Sequence, residues 1–456
     1  MKSIMKKKGA LIIMMCFLVT GKMFAQDTAA LSGTVTLKQC IDLAIKNNLQ
    51  INESDFTAQG SRINLQLANG YFLPNISANI NHSLSEGRVI NSVNNSYVTQ
   101  SSTYASYSLN LNENLWNAGS IRNNAASSRL AYEASKMDLQ QQKDNITINV
   151  ILQYLQVLSY EEQLAAAKQQ VESYRQQVEK TNNQSEQGAL SNPSILTDLK
   201  GNMASSELNV ISTQRAVETA KIGLVQYLNL PYTTSFDLQK IDADMTPVLY
   251  DGASDAIYQQ ALQNLAYIKA GRFRTLSAIK SWKSAKGQLY PTLSFGGGAS
   301  TNFSSLATTS TNGKIPYPTQ LGNNFGSNFG IGLYIPILNG LQGKSRVQQA
   351  QITINKSKFE ETSNKTALQQ NVQQAYVNMA SGFQSYQKLQ DQVKNFGESS
   401  RIAEVRFNEG VTTSVEYIIS KTNYDQATLN LIAQKYDYIL RTKILDYYQG
   451  KLTLTP

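Results

Sequence analysis

Hydrophobic residues recur every three or four positions through residues 120–187, a segment that contains neither glycine nor proline. Such spacing places the apolar residues on one stripe of a helix, which would extend about 100 Å if unbroken. The stripe comprises Ile148, Ile151, Leu152, Leu155, Leu158, Leu164, Val171, Tyr174 and Val178. The same period predicts helices over residues 192–228, 344–406 and 414–448. Periodicity of this kind is also compatible with a soluble coiled coil.

Four shorter stretches have a period of two, which predicts β-strands with one apolar and one polar face. Their apolar positions are Ile76, Ala78, Ile80, His82 and Leu84; Tyr107, Leu109 and Leu111; Leu293, Phe295, Gly297 and Ala299; and Phe329, Ile331, Leu333, Ile335 and Ile337. Each predicted strand has about ten residues, enough to cross a bilayer when tilted. A polar loop joins the two strands within each pair, at residues 87–102 in the first pair and 304–324 in the second. Sandwich hairpins would show the same alternation.

Aromatic residues distinguish the membrane interpretation from a soluble sandwich. Tyr71, Phe72, Trp116 and Tyr290 all lie at the strand ends nearest the predicted helices. Tyr and Trp are enriched where a membrane meets water. We therefore expect these residues to contact the interface of the membrane lipid.

The two halves of the chain repeat the same order of patterns at a spacing near 220 residues. Residues 68–70 (Ala-Asn-Gly) correspond to 285–287 (Ala-Lys-Gly) at a shift of 217. After the strand pairs the shift is 222, where 115–118 (Leu-Trp-Asn-Ala) corresponds to 337–340 (Ile-Leu-Asn-Gly). Extra residues in the second hairpin account for the change, since hairpin tips tolerate insertions.

Four strands per chain cannot close a membrane barrel, because the smallest barrels have about eight and an open edge leaves backbone groups unpaired in lipid. Copies of the chain must associate, and three would provide about twelve strands in a cyclic arrangement. The sequence thus predicts a membrane β-barrel plus an α-helical barrel. Each chain would contribute two tandem helix-strand-strand-helix-helix repeats, residues 26–230 and 231–456.

The first residues predict export. Lysines precede an apolar run over residues 10–19, and Ala25 offers a cleavage position, so residues 1–25 are interpreted as a signal peptide. The run is shorter than the roughly twenty residues of a membrane-spanning helix. Five of the 41 basic residues lie in this segment, so the formal charge of +9 falls to about +4 on cleavage. No dense Lys/Arg block follows, which argues against nucleic-acid binding.

Catalytic chemistry has little support. The single histidine, His82, lies in a predicted strand, and Cys40, the one cysteine after the signal peptide, lies on a predicted helix. Neither a histidine metal site nor a Cys/His pair can be assembled from them. The glycines at 296–298 lack the helix and lysine of a phosphate-binding loop. We expect no enzyme activity, no cofactor and no metal.

This duplicated order resembles the TolC-like outer-membrane efflux proteins over nearly the whole exported chain. The resemblance is carried by residues 37–47, Pro74 and Pro291, residues 115–119 and 337–341, Gly188 and Gly410. It implies a homotrimer in the outer membrane of a Gram-negative cell, with a long helical tunnel through the periplasm and a mixed belt that includes residues 231–252. It also implies docking to a periplasmic adaptor and an inner-membrane transporter, as a passive exit duct for efflux or secretion.

The resemblance also places the two helix-to-helix turns at the periplasmic tip, where adaptors dock and the tunnel narrows. The implied docking residues are Gly188, Ala189, Leu190, Gly410, Val411 and Thr412. The implied constriction residues are Glu416, Phe407 and Asp198. Phe407 lacks a hydroxyl and Thr412 replaces an arginine of the family's best-known lock, which leaves a ring of Glu416 carboxylates as the hypothesis.

Two alternatives stay open at this point. Glu416 could be an ordinary solvated helix acid rather than part of a constriction. An exported coiled-coil scaffold or adhesin would explain the helices, although not the four alternating strands.

Overall fold

The computed structural model describes residues 33–90, 96–187, 192–232, 236–240, 247–311 and 313–451. Within these ranges the elements are β1 (Gly33–Val35), α1 (Leu37–Asn47), α2 (Leu49–Gly70), β2 (Asn75–Ile90), β3 (Tyr97–Trp116), α3 (Ser120–Glu186), α4 (Ser194–Leu228), β4 (Phe236–Leu238), α5 (Ser254–Asn264), α6 (Ala266–Gly287), β5 (Thr292–Ser304), α7 (Tyr317–Asn323), β6 (Gly326–Tyr334), α8 (Gln342–Asn408) and α9 (Ser414–Gln449). The predicted signal peptide and the turn residues Gly188, Ala189 and Leu190 lie outside the described residues.

Corresponding helices have matching lengths, which confirms the tandem repeat. α1 and α5 have 11 residues each, α2 and α6 have 22, and α3 and α8 have 67. α4 and α9 have 35 and 36. Each of the four predicted long-helix ranges agrees with the structure to within two residues at either end. Of the described helices, none combines the length and hydrophobicity that a membrane span requires.

Polar caps divide the helix that precedes the first strand pair into α1 and α2. At the start of α1, Gln39 N donates to Thr36 Oγ1 at 3.1 Å and Thr36 N donates to Gln39 Oε1 at 2.8 Å, a reciprocal capping box. Asn48 caps α2 by accepting from Gln50 N at 2.9 Å. Its amide also donates to the carbonyl of Tyr227 at 3.1 Å, so the break fixes α1 and α2 against the end of α4.

A small parallel strand pair lies against the middle of the long helices, within the predicted belt. β1 pairs with β4, with Val35 opposite Leu238. The hydroxyl of Tyr154 on α3 donates to the Gln239 carbonyl at 2.6 Å, and this side chain is almost fully buried. The largest buried cluster surrounds this contact and includes Ile41, Val150, Leu224, Leu228 and Phe236.

The four longer strands form one antiparallel sheet in the order β2-β3-β5-β6. The predicted apolar positions share a face, with Ile76 opposite Leu111 and Phe295 opposite Ile331. A Cβ on Gly297 would lie 2.7 Å from the Phe329 ring, so this glycine makes room for an aromatic neighbour.

The predicted strand lengths and loops need correction. β2 and β3 have 16 and 20 residues rather than about ten, so most of the predicted loop at 87–102 is strand. Runs of Ser, Thr and Asn carry no hydrophobic alternation, yet their backbones pair as well as any other. β6 ends at Tyr334 instead of continuing to Ile337, because Pro336 has no amide to donate to a ladder.

The second predicted loop contains the short helix α7, which covers the end of β5 where β6 no longer pairs with it. The Gln320 side chain accepts from Ser304 N and donates to Ser304 O, both at 2.9 Å. Asn324 donates to the Asn302 carbonyl at 2.9 Å. These side chains replace the missing strand partner and protect an exposed sheet edge.

The last strand of each pair, β3 or β6, connects to a long helix through the same kind of turn. Positive φ occurs at Ala118 and Gly119 in the first repeat and at Gly340 and Leu341 in the second. In each turn an asparagine side chain, Asn117 or Asn339, accepts from the backbone amide four residues later. The duplicated geometry aims α3 and α8 in equivalent directions away from the sheet.

α3 of the first repeat packs antiparallel on α6 of the second repeat through small residues. Ser284 Oγ donates to the Ser120 carbonyl at 2.9 Å, and Ser127 Oγ donates to the Ser277 carbonyl at the same distance. A Cβ on Gly287 would lie 3.0 Å from the Ala118 carbonyl oxygen. The two repeats therefore join at close backbone contact.

This contact predicts that Gly287→Ala destabilises the chain, by about 1 kcal/mol or more, because a methyl group overpacks rigid backbone. Gly201→Ala in α4 is the matched control, since a Cβ there meets nothing within 4 Å and alanine favours helix. Circular dichroism of the detergent-solubilised protein should show a lower Tm for Gly287→Ala and an equal or higher Tm for Gly201→Ala. Equal shifts in both variants would contradict the close contact.

Candidate functional site

The turn between α8 and α9, residues 409–413, is called the tip turn below. Gly410 has φ of +74°, a conformation that L side chains rarely adopt. Its amide donates to the Phe407 carbonyl at 3.1 Å, and the Val411 amide donates to the Arg406 carbonyl at 2.8 Å. This pair of bonds is a Schellman motif, which ends α8 abruptly and lets α9 return beside it.

Glu416 lies in the first turn of α9 and has partners within its own chain. Arg406 Nη1 donates to Glu416 Oε1 at 3.2 Å, and the Thr412 hydroxyl donates to the other carboxylate oxygen. The backbone amide of Glu416 donates to Thr413 Oγ1 at 3.3 Å, the helix cap. Thr412, predicted as a docking residue, thus also contacts the carboxylate, and Arg406 is the arginine that pairs with it.

The Arg406–Glu416 pair is half exposed, at 47% and 50% of the side chains. An exposed ion pair contributes about 1 kcal/mol or less. The guanidinium of Arg406 offsets the negative charge of the Glu416 carboxylate. Sequence reasoning missed Arg406, which lies ten residues before its partner on a different helix.

Asp198 and Phe407, the other predicted constriction residues, both contact α9. Ser414 Oγ donates to Asp198 Oδ2 at 3.3 Å, which links α4 to the start of α9. The Phe407 ring stacks on Tyr417 with centroids 5.2 Å apart and planes 5° apart. Tyr417 is fully buried with Leu199. Phe407 therefore packs against the core of the tip.

A buried ion pair lies about two helical turns after the start of α9. Lys421 Nζ is 2.7 Å from Asp425 Oδ1, and the side chains are 11% and 13% exposed. The ammonium also lies over the rings of Tyr174 and Tyr424, at 5.7 and 5.8 Å from their centroids. Burial raises the pKa of Asp425, and the charge of Lys421 opposes that shift. The four-residue spacing of the pair was its only sequence signal.

The predicted interface aromatics gather at one end of the sheet. Tyr71 and Phe72 precede β2, Trp116 ends β3 and Tyr290 precedes β5. Antiparallel pairing brings these strand ends together, and each side chain is about half exposed. They border the helices on the same side as the Ala118–Gly119 turn.

Cys40 is a free, buried cysteine. Burial raises the pKa of the Cys40 thiol to about 12, which keeps it protonated. Among the described residues, no group of three His, Cys, Asp or Glu side chains is arranged to hold a metal ion.

An open sheet with one apolar face and an aromatic border, continuous with two 67-residue helices, defines the class of outer-membrane channel subunits. The sequence model of the outer membrane efflux protein family matches residues 40–230 and 257–446, one match in each repeat. The chain belongs to this family, and it is an outer-membrane protein that serves as an exit channel.

Solved structures support the same fold. The CmeC outer membrane channel of Campylobacter jejuni aligns with a TM-score of 0.75 and 17% identity, over 92% of this chain and 87% of CmeC. The outer membrane protein VceC of Vibrio cholerae aligns with a TM-score of 0.74 and 13% identity, over 91% of this chain and 97% of VceC. The comparison with curated protein sequences gave no significant match.

The buried pair predicts that Asp425→Asn lowers stability by about 3 kcal/mol, because the Lys421 ammonium would stay buried without its counter-charge. The matched control is Glu360→Gln, which removes the acid of an exposed pair, Lys356–Glu360, and should cost about 0.5 kcal/mol or less. Thermal unfolding followed by circular dichroism compares the two variants. A similar small shift in both would mean that the Lys421 site is effectively solvated.

Proposed function

We propose that three copies of this chain form the passive outer-membrane exit duct of a multi-component efflux or secretion system in a Gram-negative cell. The duct docks to a periplasmic adaptor protein, which connects it to an inner-membrane transporter. The observation that most supports this function is the open sheet, whose edge strands β2 and β6 require partners from other copies.

Lipid makes those partners necessary. No water reaches the bilayer core, so the outer backbone edges of β2 and β6 are satisfied only by strands of neighbouring copies. Three copies supply about twelve strands, enough for a barrel with an open interior. Tyr71, Phe72, Trp116 and Tyr290 then form the aromatic border at the periplasmic side of the lipid.

Exposed apolar side chains at the helical tip support docking to another protein. Val411 in the tip turn is 63% exposed, and Val415 and Ile419 continue the stripe on α9 at 57% and 56% exposure. Apolar stripes at helical spacing are a common protein-binding surface. We assign adaptor docking to this surface together with Gly410 and Thr412 of the tip turn. The assignment also includes Gly188, Ala189 and Leu190, which lie between α3 and α4 in the chain.

The duct predicts a stable trimer that conducts ions. Protein extracted from outer membranes in mild detergent should have the mass of three exported chains by light scattering, and it should form channels in planar bilayers. Fractionation provides the control, because an integral channel stays with the membrane in alkaline carbonate. A monomeric protein released as a soluble rod would overturn the proposed function.

The constriction is assigned to the tip, with Glu416 as its charged residue and Asp198 and Phe407 beside it. In a ring of three copies, each Glu416 carboxylate is offset by Arg406 of its own chain, so the ring is close to neutral. Removing the arginine leaves about three unpaired carboxylates around one axis, whose potentials add in a narrow passage.

We therefore expect Arg406→Ala to increase cation selectivity and sensitivity to multivalent-cation block, and Glu416→Ala to decrease both. Asp198→Ala serves as the control, since its carboxylate contacts Ser414 and has no arginine partner among the described contacts. Single-channel currents under a salt gradient measure these effects. If Arg406→Ala and Glu416→Ala conduct like the parent, the constriction involves other residues.

A further inference from the structure

The charge of the four helices that adjoin the sheet depends on distance from the strands. The ten residues of each helix nearest the strands, about 15 Å of helix, are 61–70 of α2, 120–129 of α3, 278–287 of α6 and 342–351 of α8. This layer contains eight basic residues and no acidic residue. We call the eight the basic collar: Arg62, Arg122, Arg129, Lys280, Lys283, Lys286, Lys344 and Arg346.

The next ten residues of the same helices are electrically balanced. Residues 51–60, 130–139, 268–277 and 352–361 contain six basic and six acidic residues. Some of these pair, as Arg274 does with Asp138 and Lys356 with Glu360. Within the described ranges no residue of the basic collar has an ion pair, and each is exposed or partly exposed. A concentrated positive charge without internal counter-charge favours an external anion.

The chirality of the strands fixes which side of the helical layer is outward, that is, on the side of the apolar sheet face. Thr103 lies on that face, opposite Leu84, and its carbonyl accepts from the Ser305 amide of the next strand at 2.9 Å. When L-residues descend toward the helices, the carbonyl of an outward residue points left for a viewer outside. β5 is therefore left of β3, and α6 is left of α3, with α8 further left.

The outward side of α6 carries lysines. Ser284 faces α3 and Thr275 faces α8. Successive residues of a right-handed helix turn by about 100°. With α3 on the right and α8 on the left, Lys280 and Lys283 point outward. Arg274, about two and a half turns before Lys283, points to the opposite, inward side.

The outward side of α3 carries arginines. Ser127 faces α6, and Ser135 faces α2 on the other flank of α3. The same helical geometry places Arg122 and Arg129 outward, away from both flanks. Positive side chains from neighbouring helices thus share one surface beside the sheet.

We infer that the basic collar binds the negatively charged head groups of phospholipids, such as phosphatidylglycerol, in the leaflet that faces the helices. This interaction goes beyond the proposed duct. It rests on the outer-membrane location and on the outward side of the helices, and it involves neither the adaptor nor the constriction.

The depth of the basic collar matches that of lipid phosphates. The aromatic border, Tyr71, Phe72, Trp116 and Tyr290, lies between the basic collar and the strands. Lys and Arg beside an anionic membrane surface are attracted over about one Debye length, about 8 Å at physiological salt. Their long side chains extend toward the head groups. The balanced layer begins about 15 Å below the strands, beyond this range.

Lipid selectivity tests the inference. Phosphatidylcholine vesicles containing the full exported protein receive a trace of spin-labelled phosphatidylglycerol or spin-labelled phosphatidylcholine. Electron spin resonance measures the fraction of label held at the protein surface, and hence the relative association constant of the two lipids. We expect the parent to prefer phosphatidylglycerol several-fold. Lys280→Gln, Lys283→Gln and Lys344→Gln, combined in one variant, should remove most of the preference.

The matched control combines Lys168→Gln, Lys269→Gln and Lys394→Gln, which remove the same charge from exposed positions farther from the lipid. Lys269 lies on the same face of α6 as Lys283, about 21 Å away along the helix. The control variant should keep the preference of the parent. In about 1 M salt, where the Debye length is about 3 Å, the preference of the parent should fall.

Two results would overturn the inference. One is a parent that does not distinguish the two lipids, and the other is an equal loss of preference in both variants, which would indicate net charge alone. A changed ion selectivity of the channel with unchanged lipid preference would place the basic collar inside the duct and also contradict it. Light scattering and conduction of the parent test the proposed duct separately.

Discussion

Backbone hydrogen bonding at the edges of a sheet in lipid is the constraint on which the rest of this structure depends. Each chain supplies two strand pairs, and their order leaves β2 at one edge and β6 at the other. These edges are different surfaces, so the copies of the proposed trimer would add head to tail and close into a ring. A protein of this kind cannot satisfy its own backbone as a monomer in a membrane.

The duplicated turns carry this constraint from the sheet into the helices. Each strand pair runs into one 67-residue helix through residues with positive φ and an asparagine cap, at Asn117 and again at Asn339. The number of long helices is therefore fixed by the number of strand pairs. In the proposed trimer, closing the ring of strands would also close the ring of helices, so that one repeat builds both a barrel in lipid and a duct in water.

Sequence patterns predicted the ends of the long helices to within two residues, because the apolar stripe that marks each helix is sustained over many turns. They underestimated the lengths of β2 and β3, since Ser, Thr and Asn in the outer parts of those strands have no hydrophobic alternation. They also missed α7, whose role depends on the Gln320 amide meeting a distant strand. The candidate site was located on the correct turn, but its Arg406 partner depends on tertiary geometry that spacing does not encode.

Stability is distributed unevenly along the helices, and this bears on how a passive duct opens. Near the belt, a large cluster that includes Ile41, Tyr154 and Leu224 ties α1, α3 and α4 together. At the tip, the buried apolar cluster among the described residues consists of Leu199, Ala403 and Tyr417, beside a half-exposed ion pair. Segments with few buried contacts open at lower free energy than the core. In the proposed duct, opening is therefore expected at the tip, while the belt stays intact.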